Sequence, residues 1–404
     1  MKKALGGLLL VLALAAGGFF LFAPGMAERS MNVIDGKPLP PVTDEARALH
    51  ASLTIVDLHG DTLLWDRDLA ERGGRGHMDL PRLVDGNVAL QVFSSVTKTP
   101  TDQNYDSNSA DGDNITLLAI GQMQPVRTWS SLLQRSLYHA QKLEAAVDAS
   151  RGELVPVTDA GTVEGLLAQR NVKGGRFVGA LLSIEGLHNL EGEAANLRRL
   201  HTAGFRMAGL VHFFDNELAG SMHGEEKGGL TPFGRLIVRE MEEIGMIVDI
   251  AHLSRVGVAE VLAMARRPVV SSHGGVQATC DVNRNLTDAE IEGVAETGGV
   301  IGIGYWPGAV CDTSPAAIAR AMTHVRDLVG AEHVALGSDF DGAVTVRFDT
   351  AGLVHVTQAL LDAGWSEADI RAAMGGNALR VIRSGIEALG VAPGEAPPIM
   401  EPQA

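Results

Sequence analysis

The chain has 404 residues, 46% of them hydrophobic, and a formal net charge of −16. That is ample apolar material for a large core, and a single long α/β barrel accounts for the length as well as two or three domains do. The acidity, with no Lys/Arg block to interrupt it, argues against nucleic acid as a partner and fits a role in solubility.

In chain order, Lys2 and Lys3 precede an uncharged run from Ala4 to Ala23. About 20 apolar residues can span a bilayer. The same pattern fits a secretory signal, with Gly25-Met26-Ala27 as a cleavage site. Anchor and signal both remain open for residues 1–27, and both put the body of the chain outside the cytoplasm, in a periplasmic or similar space. A membrane is then a partner only if this segment is retained. Residues 28–50 read as a linker, 51–390 as one domain, and the Pro-rich stretch 391–404 as a loose tail.

Eight apolar or β-branched runs follow, at 53–59, 87–93, 178–185, 205–212, 246–252, 268–273, 299–305 and 333–339. Continuous apolar runs suit parallel strands buried on both faces. Helix signals lie between them. Thr231-Pro232 opens a helix that Gly245 ends, and Thr287 with Glu290 makes a capping box before Gly298. Ser314-Pro315 opens a helix closed by Gly330, and Ser366 begins a late one. Eight alternations predict a (β/α)8 barrel rather than an open doubly wound sheet, since no GxGxxG follows any strand. An insertion at about 98–150 breaks the rhythm. It is either a wall of the site or a surface addition.

The strand ends carry the chemistry. His59 and Asp61 close the first run, Glu185 the third, His252 the fifth and His273 the sixth. Imidazoles and carboxylates gathered at the C-terminal rim of a barrel make a metal site for zinc or a similar divalent ion. Glu185 has two oxygens and can bridge two ions, or it can pair with an arginine. His212 ends the fourth run and suits an oxyanion or substrate contact. Asp339 ends the last and suits proton transfer. Arg284, in the loop after His273, suits a substrate carboxylate. Asp57 and Asp249 can support ligands from behind or pair with arginines. His223, in a Gly-rich loop, is set aside, as are the remaining histidines. Cys280 and Cys311 form one bridge in an exported protein or remain buried thiols.

Several motifs together resemble the membrane (renal-type) dipeptidases, peptidase family M19. They are Ser183-Ile184-Glu185-Gly186, Asp249-Ile250-Ala251-His252-Leu253-Ser254, Ser271-Ser272-His273 and Gly337-Ser338-Asp339-Phe340-Asp341-Gly342, supported by Asp79-Leu80-Pro81-Arg82-Leu83, Gln91, Leu230-Thr231-Pro232-Phe233-Gly234, Arg284-Asn285 and Asn377-Ala378-Leu379-Arg380-Val381. The resemblance implies two zinc ions, one on His59 and Asp61, the other on His252 and His273, with Glu185 bridging. It implies substrate contact by His212, carboxylate binding by Arg284, proton handling by Asp339 and a Cys280–Cys311 disulfide. The implied reaction is hydrolysis of dipeptides, including those with a C-terminal D-residue, by a hydroxide held between the metals. Gly60 and Thr62-Leu63 depart from the animal members, as bacterial members do. The rival readings are a binuclear hydrolase of a lactone or phosphoester and a non-catalytic barrel. The pattern leaves room for a homodimer.

Overall fold

The computed structural model describes residues 2–389, and the tail expected over 391–404 lies outside them. Eight strands form the centre: β1 (Ile55–Asp57), β2 (Val88–Val96), β3 (Val178–Glu185), β4 (Phe205–Gly209), β5 (Ile247–Asp249), β6 (Val270–Ser271), β7 (Val300–Ile303) and β8 (Val334–Leu336). Each pairs in parallel with the next, and β8 pairs with β1 through Leu336 and Asp57, so the sheet closes on itself. These are the eight apolar runs, and the fold is a (β/α)8 barrel. Two additions were not legible as strands. Leu154–Pro156 pairs with the start of β3, and Val33–Ile34 pairs with Thr345–Val346.

The barrel is packed, not hollow. One cluster of buried side chains takes residues from all eight strands, among them Val56, Leu90, Leu181, Met207, Ile247, Val270, Val300 and Ala335. It also holds Leu379 and Ile382 of the last helix, Asn377–Gly385. A second, larger cluster lies between the strands and the surrounding helices. The predicted caps form: Thr231 accepts from the Gly234 amide behind Pro232, Thr287 and Glu290 satisfy each other's backbone amides, and Ser314 and Ser366 accept from Ala317 and Asp369.

The segment before the barrel differs from its expected role as a linker. Lys2–Met31 is one helix. Glu28 near its end is only 1% exposed and pairs with Arg67 and Arg75, while Arg67 also pairs with Asp341. Thr43 donates to Gln358 Oε1 from both its amide (2.8 Å) and its hydroxyl (2.9 Å), and His50 Nδ1 lies 2.9 Å from Thr357 Oγ1. Residues 28–50 are therefore stitched to the barrel by polar contacts, which leave no hydropathy pattern to read. Among the described residues no helix is long and apolar enough to cross a membrane. Cys280, in the loop after β6, is disulfide-bonded to Cys311, after β7.

Candidate metal centre and substrate cleft

The rim residues stand just past the hydrogen-bonded ladders. Glu185 is the last residue of β3, His59 and His273 lie two residues past β1 and β6, and His212, His252 and Asp339 lie three past β4, β5 and β8. Two of them sit in left-handed backbone, His252 at φ 66° and Asp339 at φ 59°. Non-glycine residues held there cost about 1–3 kcal/mol each, and such outliers cluster at functional sites. The Gly342 backbone receives the Asp339 carboxylate so closely that a Cβ there would lie 1.9 Å from Oδ1. Gly60 has its side-chain space filled by Met78, whose Cε would lie 2.6 Å from a Cβ.

All the candidate ligands converge and all are buried. Glu185 Oε1 lies 2.9 Å from His252 Nε2, 3.2 Å from His273 Nε2 and 3.7 Å from His59 Nε2, while Oε2 lies 3.4 Å from His212 Nε2. His59 Nε2 lies 3.5 Å from Asp61 Oδ1 and 3.9 Å from Asp339 Oδ1. Three sets of donors fall within 4.8 Å of one another: His59, Asp61 and Glu185; Glu185, His212 and His252; and His59, His273 and Asp339. Glu185 belongs to two of them. The first set holds His59 and Asp61 together, and the others bring His212 and Asp339 among the donor atoms.

The donor chemistry fits a divalent cation. His252 Nε2 and His273 Nε2 approach to 3.1 Å, and His59 Nε2 and Asp61 Oδ1 are buried with no hydrogen-bond partner among the described residues. Buried polar atoms of this kind are costly unless something satisfies them. Burial, reinforced by Asp61, pushes the Glu185 carboxyl well above the usual carboxylate range. Burial likewise pushes Asp339 up to about 8, with Asp61 adding to it and His59 opposing. Burial opposes charge on His59, but Asp61, Glu185 and Asp339 outweigh it and push that ring up to about 10. Burial keeps the His212, His252 and His273 rings neutral, the form in which imidazole binds a metal ion, while the crowded carboxylates beside them favour an added positive charge.

Supporting contacts hold the ligands. Asp249 Oδ2 accepts from Ser272 Oγ at 2.5 Å, and that hydroxyl lies 2.9 Å from His273 Nδ1. Asp57 Oδ1 accepts from the amides of His59 (3.0 Å) and Ser338 (3.2 Å), tying the β1 and β8 ends together. Both aspartates therefore act behind the ligands. His223, set aside on sequence, packs its ring 4.6 Å from Phe213 and 5.3 Å from His252, in a supporting position.

Arg284 is buried, and no carboxylate among the described residues forms an ion pair with it. It donates to the His273 carbonyl at 3.0 Å and lies 5.7 Å over the Trp306 ring. Trp306 Nε1 donates to the Tyr105 hydroxyl at 2.9 Å. Sequence reasoning missed Tyr105 and Trp306. Tyr105 comes from the 98–150 insertion, which therefore walls the site. Asp61, Glu185, His252 and His273, with Arg284 and the insertion, face one cleft of about 620 Å³, within the usual range for small-molecule sites.

A closed barrel with imidazoles and carboxylates buried at its C-terminal rim, facing one cleft, defines a metal-dependent hydrolase. Within that class the chain belongs to the membrane dipeptidase family, peptidase family M19, whose sequence profile matches residues 43–389. Membership implies a metal cofactor and a dipeptide substrate. The chain is 39% identical over 218 residues to dipeptidase aclJ of Aspergillus oryzae, a match spanning 51% of this chain and 51% of that protein. It is 30% identical over 359 residues to dipeptidase verJ of Clonostachys rogersoniana, spanning 84% and 86%. These relatives are fungal and do not carry the expected bacterial placement. Among solved structures, the probable dipeptidase PvdM from Pseudomonas aeruginosa superposes with a TM-score of 0.68 at 19% identity, covering 85% of this chain and 97% of that one. A metallo peptidase from Rhodobacter sphaeroides, solved with a phosphinate mimic of the dipeptide L-Ala-D-Ala, gives 0.66 at 23% identity, covering 82% and 99%. At these identities the structures speak for the fold alone.

Proposed function

We propose that the chain is a zinc-dependent dipeptidase with two ions, acting on dipeptides that include a C-terminal D-residue. His59, Asp61, Glu185, His252 and His273 would hold the ions, with Glu185 shared. When bound, such ions polarise a peptide carbonyl and lower the pKa of water. Arg284 grips the C-terminal carboxylate. His212 meets the substrate at the reacting carbonyl, and Asp339 carries the proton to the leaving amine. The D-residue reading draws on the resemblance to the dipeptidase family. The disulfide supports a compartment outside the cytoplasm.

One observation carries the reading: a buried arginine with no carboxylate ion-pair partner among the described residues lines the same cleft as the ligand cluster. A buried charge left unpaired is costly, so the site is built for an anionic end group. The test is Arg284→Ala assayed on free and C-terminally amidated dipeptides, with and without chelator. KM should rise by about 10²-fold for free dipeptides, the scale of losing one charged, hydrogen-bonded contact, and far less for amidated ones. Equal effects would favour a hydrolase of another bond. Cleavage that survives full metal removal would refute the metal role.

A further inference from the structure

We infer that the end of the N-terminal helix is part of the substrate site, and that the apolar wall it builds selects dipeptides with a large apolar amino-terminal residue. The inference rests on the dipeptidase reading above. Phe19, Ala23, Ala27 and Met31 follow one another at intervals of four, which puts them on a single stripe of the helix. All four line the cleft that holds Glu185, His212 and Arg284. The helix is seated there by two independent contacts. Phe19 and Pro24 lie against Gly121 of the helix Asn114–Gly121, where even a methyl group would meet them at 3.7 and 3.5 Å. Glu28 is buried in its pairing with Arg67 and Arg75.

The wall faces a defined part of the substrate. Leu64 and Trp65 come three and four residues after Asp61, and with Val96 and Ile115 they form a hydrophobic cluster separate from both barrel cores; Leu118 packs on it. This cluster rises from the β1 side of the rim. Arg284 rises after β6, with β7 and β8 between them. A dipeptide held by its carboxylate at Arg284, with its peptide bond at the ligand cluster between, therefore turns its amino-terminal residue toward Trp65, Leu64 and the helix stripe. The small side chains at Ala23 and Ala27 leave that end roomy and apolar. Large apolar groups are retained there by burial, and small ones forgo it.

The experiment uses the full-length, zinc-loaded chain and a series X-Ala with X as Gly, Ala, Leu or Phe. The ratio of kcat/KM for Phe-Ala over Gly-Ala should be about tenfold or more, the discrimination a hydrophobic pocket achieves. Ala23→Trp, which fills the stripe, should lower that ratio about tenfold, chiefly through KM for Phe-Ala. Met26→Ala alters the same helix at a side chain that is 68% exposed and outside the cleft, and should leave the ratio alone. Melting temperatures near wild type establish that both variants fold. A ratio near one in the wild type, a ratio unmoved by Ala23→Trp in a folded protein, or a native mature chain that begins at or after Glu28 would each overturn the inference. Failure to cleave any dipeptide when metal-loaded sinks the dipeptidase reading itself, and this inference with it.

Discussion

At the scale of single residues, Glu185 is the hinge of the site. Its two oxygens face His252, His273 and His59 on one side and His212 on the other. The competing role, a structural ion pair with an arginine, lacks its partner among the described residues. Glu185→Gln keeps the shape and removes the charge that would neutralise two cations. We expect loss of at least one metal and a fall in activity of more than about 10²-fold, the scale of losing one electrostatic element at a catalytic centre. The fold should survive, because the residue sits at the rim and not in the packed interior. Metal stoichiometry and melting temperature on the same sample decide the matter: two metals retained with normal turnover would refute the bridging role. Residues such as Glu185 were legible in the sequence because an uninterrupted apolar run ends on them, and such a run has few other reasons to stop at a carboxylate. Tyr105 and Trp306 were not. They reach the cleft from a polar loop and from beyond β7, and only the closed barrel brings them beside Arg284.

At the scale of elements, the eight barrel strands were readable, whereas the short strands outside the barrel and most of the loops were not. Parallel strands buried on both faces announce themselves as hydrophobic runs, and the caps at Thr231, Thr287, Ser314 and Ser366 are local chemistry. The N-terminal helix is the opposite case. An apolar run looks the same whether it serves as signal, anchor or cleft wall. The buried Glu28 that fixes its place answers to Arg67 and Arg75, about 40 residues or more away. The disulfide shows an element-scale effect on the site. The loop holding Arg284 also holds Cys280, four residues before it, and the bond to Cys311, 31 residues on, pins that loop to the segment after β7. Closing a loop of that length contributes up to roughly 3–4 kcal/mol in the chain-entropy account. The double variant Cys280→Ser/Cys311→Ser should lower stability by up to that amount. It should also raise KM for free dipeptides more than it changes kcat, because the carboxylate grip loosens while the ligand cluster stays. Denaturant titration and steady-state kinetics measure the two effects; an unchanged KM would mean the loop is held by other contacts.

At the scale of the whole molecule, buried neutral histidines set an acid limit on stability. His139 lies wholly buried with its Nδ1 2.8 Å from Ser95 Oγ. Burial, helped by Lys142 and Arg135, pushes its pKa down to about 3. The unfolded ring titrates near 6.5, so between about 6.5 and 3 the unfolded chain binds a proton that the folded chain refuses, and stability falls as pH falls. From pH 7 to 5 this one group should account for about 2 kcal/mol. His139→Gln should lose that much less than wild type over the same interval in denaturant melts; parallel losses would show that His139 does not carry the effect. The seam between the two ends of the chain bears on how the protein is made. Val33–Ile34 takes its strand partner from Thr345–Val346, and Thr43 and His50 take theirs from Gln358 and Thr357. Contacts this distant in sequence carry a high loop-closure cost and form late. During synthesis Val33–Ile34, Thr43 and His50 must wait for these partners until nearly all the rest has been made. The partners that seat the N-terminal helix, Arg67, Arg75 and Gly121, are by contrast made early, so the growing chain passes through a stage at which the outer wall has its seat while the rim still lacks Asp339.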